Sequence, residues 1–223
     1  MAVNEVVVTE PYVCESRRKN SVELLGYYGG DTEHALSAWT SISRELTDEK
    51  KARIPAMLKM LAESGHETPF EKSTLHFLMT CDIASHIHLL KHRISVSVNA
   101  ESARYKELKE DKFYIPGDWP VEEWNRLNEY CLAAFGAYHE VLHRLTPVLG
   151  RKRAKESARY YLPYATQVTS DVSFNFRSFI HFQRLRNDAH AQEEIHTIAG
   201  EMLRLVQAVG SFEHSLRAFG YQS

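Results

Sequence analysis

"STLHFLMTCDIASHIHLLKHRISVSVNAESARY", residues 73–105, changes its hydrophobic period twice, and the fold class turns on those changes. Over residues 73–81, Leu75, Phe77, Met79 and Cys81 alternate with Thr74, His76 and Thr80, which is the pattern of a strand with one buried face. Ile83, Ile87 and Leu90 then recur at helical spacing. His88, Lys91 and His92 fall on the other side of that short helix, at i, i+3 and i+4. From residue 94 the period returns to two: Ile94, Val96 and Val98 form an apolar face, and Ser95, Ser97 and Asn99 a small polar one.

Outward from this stretch the chain keeps alternating between the two periods. Residues 5–13, with Val6, Val7 and Val8, read as a strand. Gly29-Gly30-Asp31 signals a turn, after which Asp31 or Thr32 is expected to cap a helix over 33–44. A second helix starts near Asp48, with Ile54, Met57, Leu58 and Leu61 on its apolar face. Pro55 inside that pattern is expected to kink it or delay its start, and Gly65 to stop it. On the C-terminal side, Asp118-Trp119-Pro120 opens the longest helix. Its stripe is Trp124, Leu127, Cys131, Phe135, Tyr138, Leu142 and Leu145, with every step three or four residues. Thr146-Pro147 is expected to end it. A shorter helix over about 150–162 stops at Pro163, residues 165–176 read as extended, and the final part is helical with Ile195, Ile198, Met202, Leu205 and Val209 inward. No linker or repeat interrupts the pattern. The expectation is one α+β domain over residues 1–223, a mixed or antiparallel sheet packed with a layer of long helices.

Composition narrows the function classes. The chain of 223 residues is 43% apolar and 25% charged, as a soluble globule is. Its net charge of -2 argues against a nucleic-acid coat, which needs a broad positive field, so any anion site must be local. Cys14, Cys81 and Cys131 form no close pair and suggest a reducing compartment. The N-terminus lacks the order of a signal peptide, and no run approaches the ~18 apolar residues of a membrane span. The expected location is the cytoplasm.

Four clusters carry candidate chemistry. Lys91, His92 and Arg93 could simply complement a helix C-terminus, but Ser95, Ser97 and Asn99 continue a polar floor away from them that suits a flat anionic ligand. Glu101-Ser102-Ala103-Arg104-Tyr105 recurs as Glu156-Ser157-Ala158-Arg159-Tyr160 with unlike flanks. The echo is no duplicated fold unit, yet it could bring two arginines to one phosphate, which their planar forks suit. If a helix begins near residue 176, Arg177, His181 and Arg184 share a face, with Asn175 and Arg186 nearby. "GHETPFE", residues 65–71, gathers His66, Glu67, Thr68 and Glu71 on a tight loop. His88 and His92 are spaced as metal ligands are, as are the neighbouring His86 and His88 in part, but no third ligand is near and no metal is expected. Cys81 and Cys131 sit on apolar faces as inert core thiols. The nucleophile elbow, GxGxxG and P-loop patterns are absent.

In this order, these segments resemble the flavin-dependent thymidylate synthase family. KHRISVSVNAESARY corresponds to the family signature of Arg-His-Arg, seven or eight residues, then Ser. GHETPFE, FYIP at 113–116, NFRSFIHFQRLR followed by AHAQEEI, and VELLGYYGGD reinforce it, so the likeness spans roughly residues 20–210. The resemblance implies a homotetramer, with active sites built from several subunits, that converts dUMP to dTMP, with methylenetetrahydrofolate giving the one-carbon unit, FAD carrying the hydride and NADPH reducing the flavin. It implies FAD contacts from Thr68, Glu71, Lys91, His92, Arg93, Asn99, Asn175, Arg177 and His181. It implies dUMP contacts from His88, Lys91, Glu101, Ser102, Ala103, Arg104 and Arg159, and catalysis by Arg186 against the uracil. Three departures touch the pyrimidine site: Lys91 replaces the first arginine, His88 stands where many members have Gln, and the loop before Ser102 is one residue longer, so Ala100 and Glu101 compete for the acidic position. The alternatives are a flavin-dependent methylase or hydroxymethylase of another pyrimidine nucleotide such as dCMP, and a noncatalytic nucleotide- or RNA-binding protein.

Overall fold

The structure, a computed structural model, describes residues 19–221. Four strands form one antiparallel sheet in the order β1-β2-β4-β3: β1 (Ser21–Tyr28), β2 (Thr74–Asp82), β4 (Gln167–Phe174) and β3 (Val96–Ala100). Alternation dictates which face is buried. Leu75, Phe77, Met79 and Cys81 of β2 are at most 1% exposed, and Val172 and Phe174 of β4 join them. The other face carries polar pairs across β2 and β4: His76 with Asp171 at 2.6 Å, and Thr80 with Thr169 at 2.9 Å.

Helices cover the apolar face. They are α1 (Asp31–Trp39), α2 (Asp48–Glu63), α5 (Phe176–Arg186), α6 (Glu193–Val209) and α7 (Glu213–Ala218). Phenylalanines 70, 77, 174, 176, 179, 182 and 212 are all essentially inaccessible. Phe176 stacks on Phe212 and Phe77 on Phe179. Burying each such ring contributes on the order of 2 to 3 kcal/mol, so this aromatic layer dominates the core. The remaining helices are the short α3 (Ile83–Leu89) and the long α4 (Val121–Ala158). The α4 stripe works as expected: Cys131, Phe135, Tyr138 and Leu142 are buried, against Phe113, Ile115, Leu108 and Leu162, in small cores separate from the main one.

Several sequence expectations are corrected. The strand expected at 5–13 lies outside the described residues. The strand at Ser21–Tyr28 was not anticipated; its alternation is short and a bulge at Gly26 interrupts it. α1 begins at Asp31 and ends at Trp39, and neither Asp31 nor Thr32 caps it. The Asp31 carboxylate instead accepts from the backbone N–H groups of His214 and Ser215 and from the Ser215 hydroxyl, tying α1 to α7. Pro55 does not delay α2, because Thr47 caps the first turn by accepting from Lys50. Gly65 stops α2 as expected, with φ +68° and a His66 N–H to Leu61 O bond closing the turn. In α3 it is Ser85 and Leu89 that are buried, while Ile87 and Leu90 face outward. Ile94 is 85% exposed and Ser95 has φ +52°, so β3 starts only at Val96 and the polar floor shrinks to Ser97 and Asn99. Thr146-Pro147 does not end α4. The break comes at Gly150, whose φ of +74° and ψ of 152° favour a residue without a Cβ.

His34 links these layers. It is fully buried between Ser215 Oγ at Nδ1 and Ser73 Oγ at Nε2, both 2.8 Å away. Ser215 donates its hydroxyl proton to Asp31, so His34 Nδ1–H donates to Ser215 and Nε2 accepts from Ser73. Burial pushes the imidazole pKa down to about 3. Because the folded value lies below the unfolded one, this contribution is intact above pH 6.5 and is lost as the pH falls. Uptake by the unfolded imidazole, about half a proton at pH 6.5 and nearly one at pH 5, amounts to about 1.6 kcal/mol over that interval. His34→Gln is expected to flatten the pH dependence of the urea midpoint over that interval; parallel wild-type and variant curves would refute the assignment.

Candidate functional site

Three elements meet beside the start of β3 and leave a crevice of about 410 Å³. The C-terminal end of α3 and the loop after it bring Lys91, His92 and Arg93. The first turns of α5 bring Arg177, His181 and Arg184. The 3-10 turn Thr68–Glu71, with the residue before it, brings Glu67 and Glu71, and Phe219 closes the wall. Local structure explains the aim. Asn175 caps α5 by accepting from Ser178 N–H, and Ser178 Oγ donates to Ile94 O, which holds the α5 N-terminus against the 93–95 loop. Arg177, His181 and Arg184 then recur one turn apart on the outward face of α5, while Phe179 and Phe182 point into the core.

The charges are arranged unevenly. Arg177 donates from Nε to Glu67 at 2.9 Å and from Nη1 to Glu71 at 2.6 Å, so two carboxylates fix its plane. Those hydrogen bonds hold its pKa above the usual value. With Arg177 about half exposed, the pairs contribute at most ~1 kcal/mol to stability, and their effect is orientation. Lys91 and Arg93 make no ion pair among the described residues and leave positive charge open to a ligand.

Arg186 stands at the other end of α5. Its Nε–H donates to His92 Nε2 at 3.0 Å, so the proton of His92 is on Nδ1. His92 is 8% exposed, packed edge-on against Phe182 and His181. Burial first, then the charges of Arg186, His181 and His88, push its pKa down to about 4. A neutral imidazole therefore anchors Arg186 without cancelling its charge. His88, whose charge acts on His92, itself pairs with Gln192 at 3.1 Å.

A second cluster lies beyond the other end of β3. Arg104 donates from Nε to Glu156 at 2.6 Å, and Glu101 pairs with Lys106 at 2.5 Å while accepting from Thr169 N–H. Ser102 Oγ accepts from Arg104 N–H. Arg159, three residues past Glu156, is exposed. Seven residues of nearly extended chain separate Ser95 from Ser102, up to about 23 Å. Of the residues expected to hold FAD, Glu71, Lys91, His92, Arg93, Arg177 and His181 share the crevice; of those expected to hold dUMP, Arg186 touches its wall through His92, and Glu101, Ser102, Ala103, Arg104 and Arg159 lie past the far end of β3. Thr68, Asn99 and Asn175 line neither.

Helical spacing already puts Arg184 on the face of Arg177 and His181, and Glu67 falls among the polar groups of the 65–71 loop; the family resemblance gives neither a contact, and the crevice lining adds both. His86, His88 and His92 turn to three different partners, Ser170, Gln192 and Arg186. Among the described residues no group of three or more His, Cys, Asp or Glu is placed to hold a metal ion. No helix among them is long and apolar enough to cross a membrane.

The family model described as "Thymidylate synthase complementing protein" matches residues 23–210. The flavin-dependent thymidylate synthase of Pseudothermotoga lettingae is 34% identical over 193 residues, covering 84% of this chain and 85% of its own. That of Thermotoga neapolitana is 31% identical over 192 residues, covering 81% and 82%. The chain belongs to the flavin-dependent thymidylate synthase family. It is an enzyme of the methyltransferase class by that membership. A crystal structure of a UMP/dUMP methylase, PolB from Streptomyces cacaoi, bound with 5-Br dUMP, matches 91% of this chain and 95% of its own with a TM-score of 0.75 at 27% identity.

If Arg186 and burial together keep His92 neutral, Arg186→Ala raises the His92 pKa toward 6.5 in an NMR titration of the imidazole. An unchanged value would refute the contact.

Proposed function

We propose that this thymidylate synthase family member reductively methylates dUMP to dTMP, with FAD in the crevice, methylenetetrahydrofolate as one-carbon donor and NADPH as reductant. The observation that carries the proposal is the tethering of Arg186, which no carboxylate pairs with among the described residues, to His92 in the crevice wall. The donor set fits a flavin dinucleotide: Lys91 and Arg93 offer unneutralised charge for its phosphates, and Arg177 and His181 offer fixed donors for its ring. Bound there, the flavin would supply hydride to the methylene carbon. Thr68, Asn99 and Asn175 complete the proposed contacts from outside the crevice.

The residues of this chain would supply position and charge. Arg186, held at Nε, keeps its other N–H groups free for the pyrimidine. Its charge would stabilise the anion formed when N3 of uracil gives up a proton. Arg104 and Arg159 would take the phosphate, with Ser102 and Ala103 between them, and His88, Lys91 and Glu101 would bound the nucleotide. Ser102 is assigned to binding, since its hydroxyl has no base beside it. Burial and the neighbouring Asp82 push the Cys81 thiol well above its usual range, and Cys131 is fully buried. Among the described residues, then, no cysteine is available as a thiolate, and Cys14 lies outside them.

The separation of the two clusters along β3 supports a homotetramer in which different copies contribute the flavin crevice and the phosphate arginines. The proposed setting is the cytoplasm, and no nucleic acid or membrane is a partner. The similarity to PolB, a UMP/dUMP methylase, makes UMP the alternative substrate to be assayed.

Purified protein is expected to be yellow or to turn yellow with FAD, and to turn over dUMP in preference to UMP and dCMP. Turnover of dCMP alone would overturn the proposal. Arg186→Ala is expected to lose at least about 100-fold in turnover while flavin absorbance is retained; near-normal turnover refutes the role. Mixing inactive Arg93→Ala and Arg104→Ala chains is expected to restore part of the activity on reassembly. No recovery would mean that each site lies within one chain.

A further inference from the structure

We infer that Glu156 is a positioning residue for the nucleotide phosphate, acting through Arg104; the inference rests on the dUMP reading above. The sequence echo points to it. Glu101-Ser102-Ala103-Arg104 and Glu156-Ser157-Ala158-Arg159 share a pattern on unlike elements, and the fold cross-pairs them: the arginine of the first copy binds the glutamate of the second, Arg104 Nε to Glu156 Oε1 at 2.6 Å. The Glu156 side chain is 17% exposed and that of Arg104 45%, so the carboxylate is the anchored partner and the guanidinium the presented one. Glu156 also accepts from Arg153 Nη1 at 3.3 Å, which braces it from its own helix.

The bond uses the Nε edge of Arg104. The two Nη groups remain on the far side of a planar fork, the edge suited to a phosphate. The loop that carries Arg104 has little secondary structure of its own, and the segment after Gly150 holds it at three points. Arg151 pairs with Glu107 at 2.5 Å, Lys155 donates to Tyr105 O at 2.5 Å, and Glu156 takes Arg104. Glu156 and Arg159 are three residues apart and share a side of this segment. A carboxylate that holds Arg104 there brings its fork to the side of the segment that also carries Arg159. Exposed ion pairs of this kind add little to folding, so the arrangement matters for geometry more than for stability.

The test separates positioning from repulsion and from folding. dUMP and deoxyuridine binding are measured by calorimetry on the flavin-loaded enzyme, with KM and kcat for dUMP. Glu156→Ala is expected to weaken dUMP binding and raise KM by about tenfold, the cost of freeing one charge-assisted contact, with kcat and deoxyuridine affinity little changed. Glu156→Gln, which keeps the acceptor at the same reach, is expected to recover most of the loss. In an Arg104→Ala background, Glu156→Ala is expected to add nothing, because the residue acts only through Arg104. Tighter dUMP binding by Glu156→Ala would mean that the carboxylate merely repels phosphate, and equal losses in both backgrounds would mean a general structural role. Either overturns the inference. Failure of the wild-type enzyme to bind dUMP would instead overturn the proposed function.

Discussion

The pairing of β2 with β4 is the constraint on which the rest depends. Eight residues of each strand are matched, from Leu75 opposite Phe174 to Asp82 opposite Gln167. The register places Phe77, Met79, Val172 and Phe174 on one face, and a slip of β4 by one residue would turn Val172 and Phe174 to the opposite face. Because Phe174 ends β4 and Phe176 opens α5, the same register fixes where α5 begins. The turn-by-turn placement of Arg177, His181, Arg184 and Arg186 follows from that start. Packing of Phe179 and Phe182 beneath the helix fixes its rotation.

Three arginines are held in three different ways, and the differences matter chemically. Arg177 is neutralised by Glu67 and Glu71 and contributes shape and donors more than charge. Arg104 is tied to one carboxylate and keeps its outer edge free. Arg186 leans on a neutral imidazole, so its full charge remains behind the crevice wall. Burial of His92 is what makes the third arrangement work: an exposed histidine near its usual pKa would be partly cationic at mildly acidic pH and would repel the guanidinium it now orients. The core and the site are thereby coupled, since Phe182 packs against the His92 ring from within.

Much was legible from side-chain periodicity. The stripe from Trp124 to Leu145, the face of Ile195 to Leu205 and the alternation of Leu75 to Cys81 each bury the side expected. The errors fall where a local rule met a stronger non-local one. Asp31 reads as a cap but is drawn to the backbone of α7. Pro147 reads as a stop, yet α4 runs on to Gly150, the residue that can take φ +74°. Ile94 reads as the start of a strand, but the chain must turn at Ser95 to let α5 dock. In the site, GHETPFE, KHR and NFRSFIH each announced donors, and α5 spacing placed Arg177, His181 and Arg184 together.

The sequence by itself determined which faces are apolar, which short segments carry cationic donors, and through the ordered motifs the family to which the chain belongs. Those properties are local: they depend on side-chain chemistry and on periods of two and 3.6 residues. Tertiary structure alone decided that Arg186 meets His92 across 94 positions, that Arg104 meets Glu156 across 52, and that the two clusters stand at opposite ends of β3. No spacing rule reaches that far along a chain. Such contacts are set by strand register and by the packing of α4 and α5, which exist only once the core has formed.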